Sequence, residues 1–367
     1  MAISRPRFDR VEVTPTFPLF SDVVPHTTGG ARLTVLGLFK DEAQQLADHL
    51  RPGDTGLNTP GSGTKPLLGI VNPSDSVVDT KGKSQREGVD EVEEQYELER
   101  PDARIQYWVQ GEEGAPTVVF LHGATLDHHA WDPQVNVLRE HYRTVAVDLR
   151  GHGESTMDAR RFDFNAAVDD VTALLHRLRA APVALVGLSL GGNIAQEIVY
   201  RSPELVDALV VADSTCNTAS RHPLEAAWAI AALASLGMTS RETFLQRAAA
   251  ATAQDAAVQQ YVLDVNAHRS NRDATQIVAS MLASGLHADP DYRLPIPTLL
   301  VHGDGDGMGD IVEGTRAWAE REPLGLYVTI PNAGHASNQD NPEAFTAELA
   351  AFLERELVGD QVLSGWR

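Results

Sequence analysis

A chain of 367 residues, 43% hydrophobic and 22% charged, has the apolar content to bury one large core or two smaller ones. Its 51 acidic against 30 basic residues leave a net charge of −21, a field that repels polyanions, so neither nucleic acid nor anionic membrane is an expected partner. One cysteine, Cys216, cannot form an intrachain disulfide. With no apolar h-region behind Arg5, Arg7 and Arg10 and no run near ~18 apolar residues, a cytoplasmic location is expected.

All four lysines (Lys40, Lys65, Lys81 and Lys83) fall before residue 84, and this shift in composition marks off an extension over residues 1–88. Within it, residues 33–39 suit a strand and 41–50 a short helix, while 51–88 is rich in Gly, Pro, Ser, Thr and Asp and suits a linker. A hairpin is predicted at 92–98 and 103–109 around the Pro101-Asp102 turn. Continuously apolar runs follow near 116–123, 143–148, 182–188, 208–213, 298–303 and 326–330, separated by helical patterns at 131–140, 165–179, 190–201 and 342–357. Strands that are apolar on both sides and alternate with helices predict a mostly parallel, eight-stranded α/β sheet covered on both faces. The alternation stops between Ser214 and Pro295. There, helical patterns at 222–236, 241–253, 256–268 and 272–286 predict a lid inserted after the sixth strand. The expected organisation is therefore an extension (1–88), a first core part (89–214), a lid (215–294) and a second core part (295–367).

The stretch Gly187-Leu-Ser189-Leu-Gly191-Gly192 joins a buried strand directly to a helix. Such a turn strains the serine backbone and lifts its hydroxyl to the sheet's carboxyl edge, at a helix N-terminus. A serine hydroxyl is a weak nucleophile and needs a base, which in turn needs an orienting carboxylate. His335, in a glycine-bearing loop after the last strand, is the predicted base. Asp306, beyond the strand ending His302-Gly303, is the predicted acid, with Asp304, Asp310 and Asp213 as rivals. The backbone N–H groups of Ala124 and Leu190 are the predicted oxyanion donors. Trp131, Trp228 and Met281 are candidate pocket-lining residues, and His122, His152 and His302 read as structural. The loop Gly303–Asp310 lacks the register of a calcium loop, and Gly187–Gly192 lacks that of a dinucleotide site, so no metal and no cofactor is expected.

Five segments occur in a recognisable order: Leu121-His-Gly-Ala124, Asp148-Leu-Arg-Gly-His-Gly-Glu-Ser155, Gly187–Gly192, Val301-His-Gly-Asp-Gly-Asp306 and Ala333-Gly-His-Ala-Ser-Asn. Over residues 92–357 the chain thereby resembles the α/β-hydrolase superfamily, in its esterase, enol-lactonase and haloperoxidase-like branch. The resemblance implies Ser189, Asp306 and His335 as a catalytic triad and a small ester-like molecule as substrate. Acyl transfer, carbon–carbon cleavage, cyclisation and a non-catalytic receptor stand as alternatives on the same fold. Oligomeric state is not legible.

Overall fold

The computed structural model describes residues 82–83, 94–158, 161–178, 183–220 and 231–358. The strand and helix expected at 33–39 and 41–50, Trp228 and most of the first lid helix lie outside the described residues.

The strands are β1 (Gly82–Lys83), β2 (Glu94–Arg100), β3 (Ala103–Gln110), β4 (Thr117–Leu121), β5 (Arg143–Val147), β6 (Thr156–Met157), β7 (Val183–Leu188), β8 (Val206–Ala212), β9 (Thr298–Gly303) and β10 (Gly325–Ile330). They form one sheet in the order β1-β2-β3-β5-β4-β7-β8-β9-β10, with β6 beside β3. β2 and β3 make the expected antiparallel hairpin, and β3 also runs antiparallel to β5. From β5 to β10 every pairing is parallel. Eight strands make up the body of the sheet, as predicted. The two additions, β1 and β6, are two residues long, too short to leave a hydrophobic period in the sequence.

Strand periodicity explains the two-sided core. Along β4, Val119 and Leu121 join one buried cluster, with Val145, Val147, Leu185, Leu209 and Leu300. Val118 and Phe120 point the other way and join a second, with Ala146, Val186, Val210 and Val301. The first face is covered by α2 (Phe164–Leu178) and α3 (Leu190–Arg201), through residues such as Leu174 and Ile198. The second is covered by α1 (Asp132–Leu138), which supplies Val135 and Leu138. Each Val or Leu so buried contributes roughly 1.5–3 kcal/mol.

The insertion between β8 and β9, the segment expected to form a lid, contains helical residues 231–237, α4 (Arg241–Thr252), α5 (Ala256–Val265) and α6 (Asn271–Ser284). Its helices start at side-chain caps: Ser240 accepts from Thr243 N–H, Asp255 from the N–H groups of Ala257 and Val258, and Ser270 from Asp273 N–H. After β9 come α7 (Ile311–Arg321), α8 (Ser337–Asp340) and α9 (Pro342–Leu353), the last adding Phe345, Leu349 and Phe352 to the second cluster. Among the described residues no helix is long and apolar enough to cross a membrane.

The connections place the site. β4 connects onward to β5 on one side, while its other neighbour, β7, connects onward to β8 on the far side, so the connections leaving these adjacent strands run in opposite directions. In an open parallel sheet that reversal opens a crevice at the carboxyl ends of the strands. The loop after β4 and the turn after β7 border it.

Candidate active site

Ser189 stands between β7 and α3 at φ 50° and ψ −113°, outside the regions that a serine ordinarily adopts. Its neighbours explain why the turn holds. A Cβ on Gly187 would meet the Gly191 carbonyl at 2.4 Å, and one on Gly191 would lie 2.2 Å from the Leu121 oxygen and 2.8 Å from that of His122. Only glycine permits this approach. β8 clamps the serine backbone from the other side: Ser189 N–H donates to Ala212 O at 2.8 Å, and Ser214 Oγ donates to Ser189 O at 2.9 Å.

The approach of Gly191 to Leu121 and His122 also sets the start of α3 against the loop that holds Ala124. Leu190 is the first residue of α3, so its N–H has no acceptor within the helix. The Ala124 loop is fixed on all sides. His122 accepts from Leu149 N–H at 3.1 Å through Nε2, so its Nδ1 donates to Gly123 O at 2.7 Å. Burial holds this ring below its ordinary value, against the pull of Asp148. Asp148 Oδ1 accepts from the His128 backbone N–H at 2.7 Å and its ring at 2.9 Å, while Oδ2 accepts from Glu154 N–H at 2.7 Å.

His335 and Asp306 are brought together: Nδ1 lies 2.9 Å from Oδ2, and both residues are buried. Burial alone would raise the Asp306 carboxyl, but the charge and hydrogen bond of His335 and the Met308 N–H hold it below its ordinary value. Burial alone would lower the His335 ring, but the charge and hydrogen bond of Asp306, with a further contribution from Asp213, bring it above 6.5. An ionised carboxylate can only accept, so Nδ1 carries the proton and the lone pair is on Nε2.

The rivals are occupied elsewhere. Asp304 Oδ1 accepts from Ala333 N–H at 3.2 Å, so it braces the histidine loop from the acid loop. Asp310 precedes α7 as its N-terminal flanking residue. Asp213, fully buried, accepts from Gly303 N–H and from Ser337. His302 donates from Nδ1 to Gly303 O and meets Tyr327 OH at 2.6 Å through Nε2, and His152 Nδ1 donates to Arg150 O.

Trp131, expected along a pocket wall, is instead fully buried between Phe120 and Phe345 in the second core cluster. Its large apolar ring suits either setting, and the sequence does not say which side of the loop turns inward. Met281, on α6, is partly buried against the first cluster.

Sequence reasoning missed the contacts between lid and core. Ala336 N–H donates to Thr252 O at 2.7 Å. The Asp340 carboxylate accepts from Gln254 N–H (2.9 Å), Asp255 N–H (2.9 Å) and Gly334 N–H (2.7 Å), joining the α4–α5 turn to the histidine loop. Tyr261 OH donates to Asp127 Oδ1 at 2.7 Å, and Asn266 Nδ2 to Thr125 O at 3.2 Å, joining α5 and its C-terminal cap to the Ala124 loop. No sequence signal announces these pairs: apart from the Asp340–Gly334 bond, each joins segments more than eighty residues apart.

A family model described as the alpha/beta hydrolase family matches residues 118–349. The chain belongs to the alpha/beta hydrolase family. Relatives of this hydrolase include the (E)-2-((N-methylformamido)methylene)succinate hydrolase of Acinetobacter baylyi, 26% identical over 70% of this chain and 97% of that protein. The 3-oxoadipate enol-lactonase 2 of the same organism is 24% identical over 70% of this chain and 96% of its own length. Among solved structures, a bromoperoxidase from Bacillus anthracis superposes with a TM-score of 0.61 at 23% identity, covering 71% of this chain and 99% of that one.

Proposed function

We propose that this alpha/beta hydrolase cleaves a small to medium carboxylic ester or lactone through an acyl-enzyme at Ser189. The observation that supports it most is the buried His335–Asp306 pair, 2.9 Å apart, in loops at the same sheet edge as the strained Ser189 turn. His335 Nε2 takes the hydroxyl proton as Ser189 Oγ attacks the carbonyl. The N–H groups of Ala124 and Leu190 receive the developing oxyanion, each worth roughly 3 kcal/mol of transition-state stabilisation. The imidazolium, held by Asp306, then protonates the leaving alkoxide, and His335 next activates the water that releases the acid. The enol-lactonase name among the relatives agrees with this substrate class.

Ser189→Ala tests it. The variant should fold as the parent does and lose at least on the order of 10³-fold in kcat on p-nitrophenyl acetate. A fluorophosphonate should modify the parent at Ser189 alone. Undiminished turnover by the variant would remove the serine from the chemistry.

A further inference from the structure

We propose that Asp213 is a positioning residue of the triad, a single buried carboxyl that ties the segment leading to Asp306 to the segment leaving His335. The inference rests on the serine-hydrolase reading above. Asp213 directly follows β8, between the ends of β7 and β9, and its own N–H donates to Val301 O at 2.9 Å. Oδ1 accepts from Gly303 N–H at 2.8 Å, three residues before Asp306. Oδ2 accepts from Ser337 N–H at 3.3 Å and, in a shorter bond, from Ser337 Oγ, two residues after His335. One side chain therefore meets both loops that must stay in register for the 2.9 Å imidazole–carboxylate bond to form. The preceding residue, Ala212, accepts from Ser189 N–H, so the third loop is held by the same strand end.

Two further observations show that this residue is there at a cost to folding. Its backbone is at φ 46°, where non-glycine residues are uncommon. Its carboxyl is fully buried, and burial first, then the charge of Asp306, pushes it up to about 8 against the opposing influence of His335, Ser337 and the Gly303 N–H. A carboxyl protonated at neutral pH, its proton then on Oδ2 and donated to Ser337 Oγ, joins the loops without setting a second negative charge beside Asp306. A side chain serving the core alone would do better as an apolar or amide group.

The test compares the wild-type chain with Asp213→Asn, Asp213→Ala and Ser337→Ala. The readouts are the rate of fluorophosphonate attachment to Ser189, kcat per labelled site and KM on p-nitrophenyl acetate, and thermal unfolding. Asn keeps an acceptor for Gly303 N–H but turns an NH₂ group toward Ser337 N–H, whereas Ala loses both ties. A loosened triad should lower kcat, on the order of 10²-fold for Ala and about 10-fold for Asn, with KM nearly unchanged and labelling slowed in parallel. Ser337→Ala, losing one tie, should fall by less than Asn. If Asp213→Ala does not fold, Asn and Ser337→Ala carry the comparison. Wild-type kcat per labelled site in the variants, with or without a drop in melting temperature, overturns the inference. A wild-type chain that the probe does not label at Ser189 overturns the serine reading and this inference with it.

Discussion

The imidazole of His335 faces two carboxyl groups of opposite character. Asp306 is held below its ordinary value and Asp213 is raised to about 8. On the function proposed above His335 is the base and must be neutral, so with its ring raised above 6.5, kcat/KM should climb with pH to a midpoint above 6.5. Asp306→Asn should move that midpoint down and cut kcat by about 10³–10⁴-fold, as a pH–rate profile of both proteins would record. The same shifts link stability to pH. The raised His335 stabilises the fold fully below 6.5 and progressively less as pH climbs through its folded value. Lowered Asp306 stabilises it above 3.8 and ceases to do so as pH falls through its folded value. The contribution of Asp213 is complete only below 3.8 and is lost between there and about 8. Between pH 4 and pH 8 the wild type should therefore lose melting temperature relative to Asp213→Asn, which has no such titration. Calorimetry across that range would show the two curves converging or crossing, and parallel curves would contradict the assignment.

Elements differ in how openly the sequence declares them. β4, β5, β7, β8 and β9 are apolar on both faces, and the sequence places them within about two residues, because a strand buried on two sides has no polar positions to blur its limits. The turn at Ser189 is equally legible, since the contacts of Gly187 and Gly191 leave no other residue at those positions. The helix Ile311–Arg321 is absent from the sequence reading, although Ile311, Thr315 and Trp318 recur at helical spacing and are buried. It follows a glycine- and aspartate-rich loop whose composition dominates that window. Trp131 shows the converse failure, a side chain whose chemistry fits either core or pocket. The ties made by Asp340 and Asp213 are illegible for a different reason: apart from Ser337 Oγ, their partners are backbone N–H groups, which every residue except proline owns. Asp340→Ala should expose the amides of Gln254, Asp255 and Gly334 to faster hydrogen exchange together. It should also cost about 1–3 kcal/mol of local stability, since one substitution removes the carboxylate that accepts from all three N–H groups. Exchange confined to Gly334 would mean that the α4–α5 turn is held by something else.

On the scale of the whole molecule, the family match ends well short of both termini, at residues 118 and 349. The Acinetobacter relatives are covered over 96–97% of their own lengths by about 70% of this chain, and the family model begins only at residue 118. Limited proteolysis is expected to leave a stable fragment that begins near residue 90 and still turns over p-nitrophenyl acetate. Collapse of activity on trimming would assign the extension a part in the body of the enzyme.

The double anchorage of the lid, to the Ala124 loop through Tyr261 and Asn266 and to the histidine loop through Thr252 and Asp340, bears on engineering. Chimeras that graft a foreign lid between β8 and β9 would sever these bonds unless the transplant keeps residues 252–255, 261 and 266 in register. Substitutions within the existing helices leave this anchorage in place, whereas exchanging the helices wholesale does not.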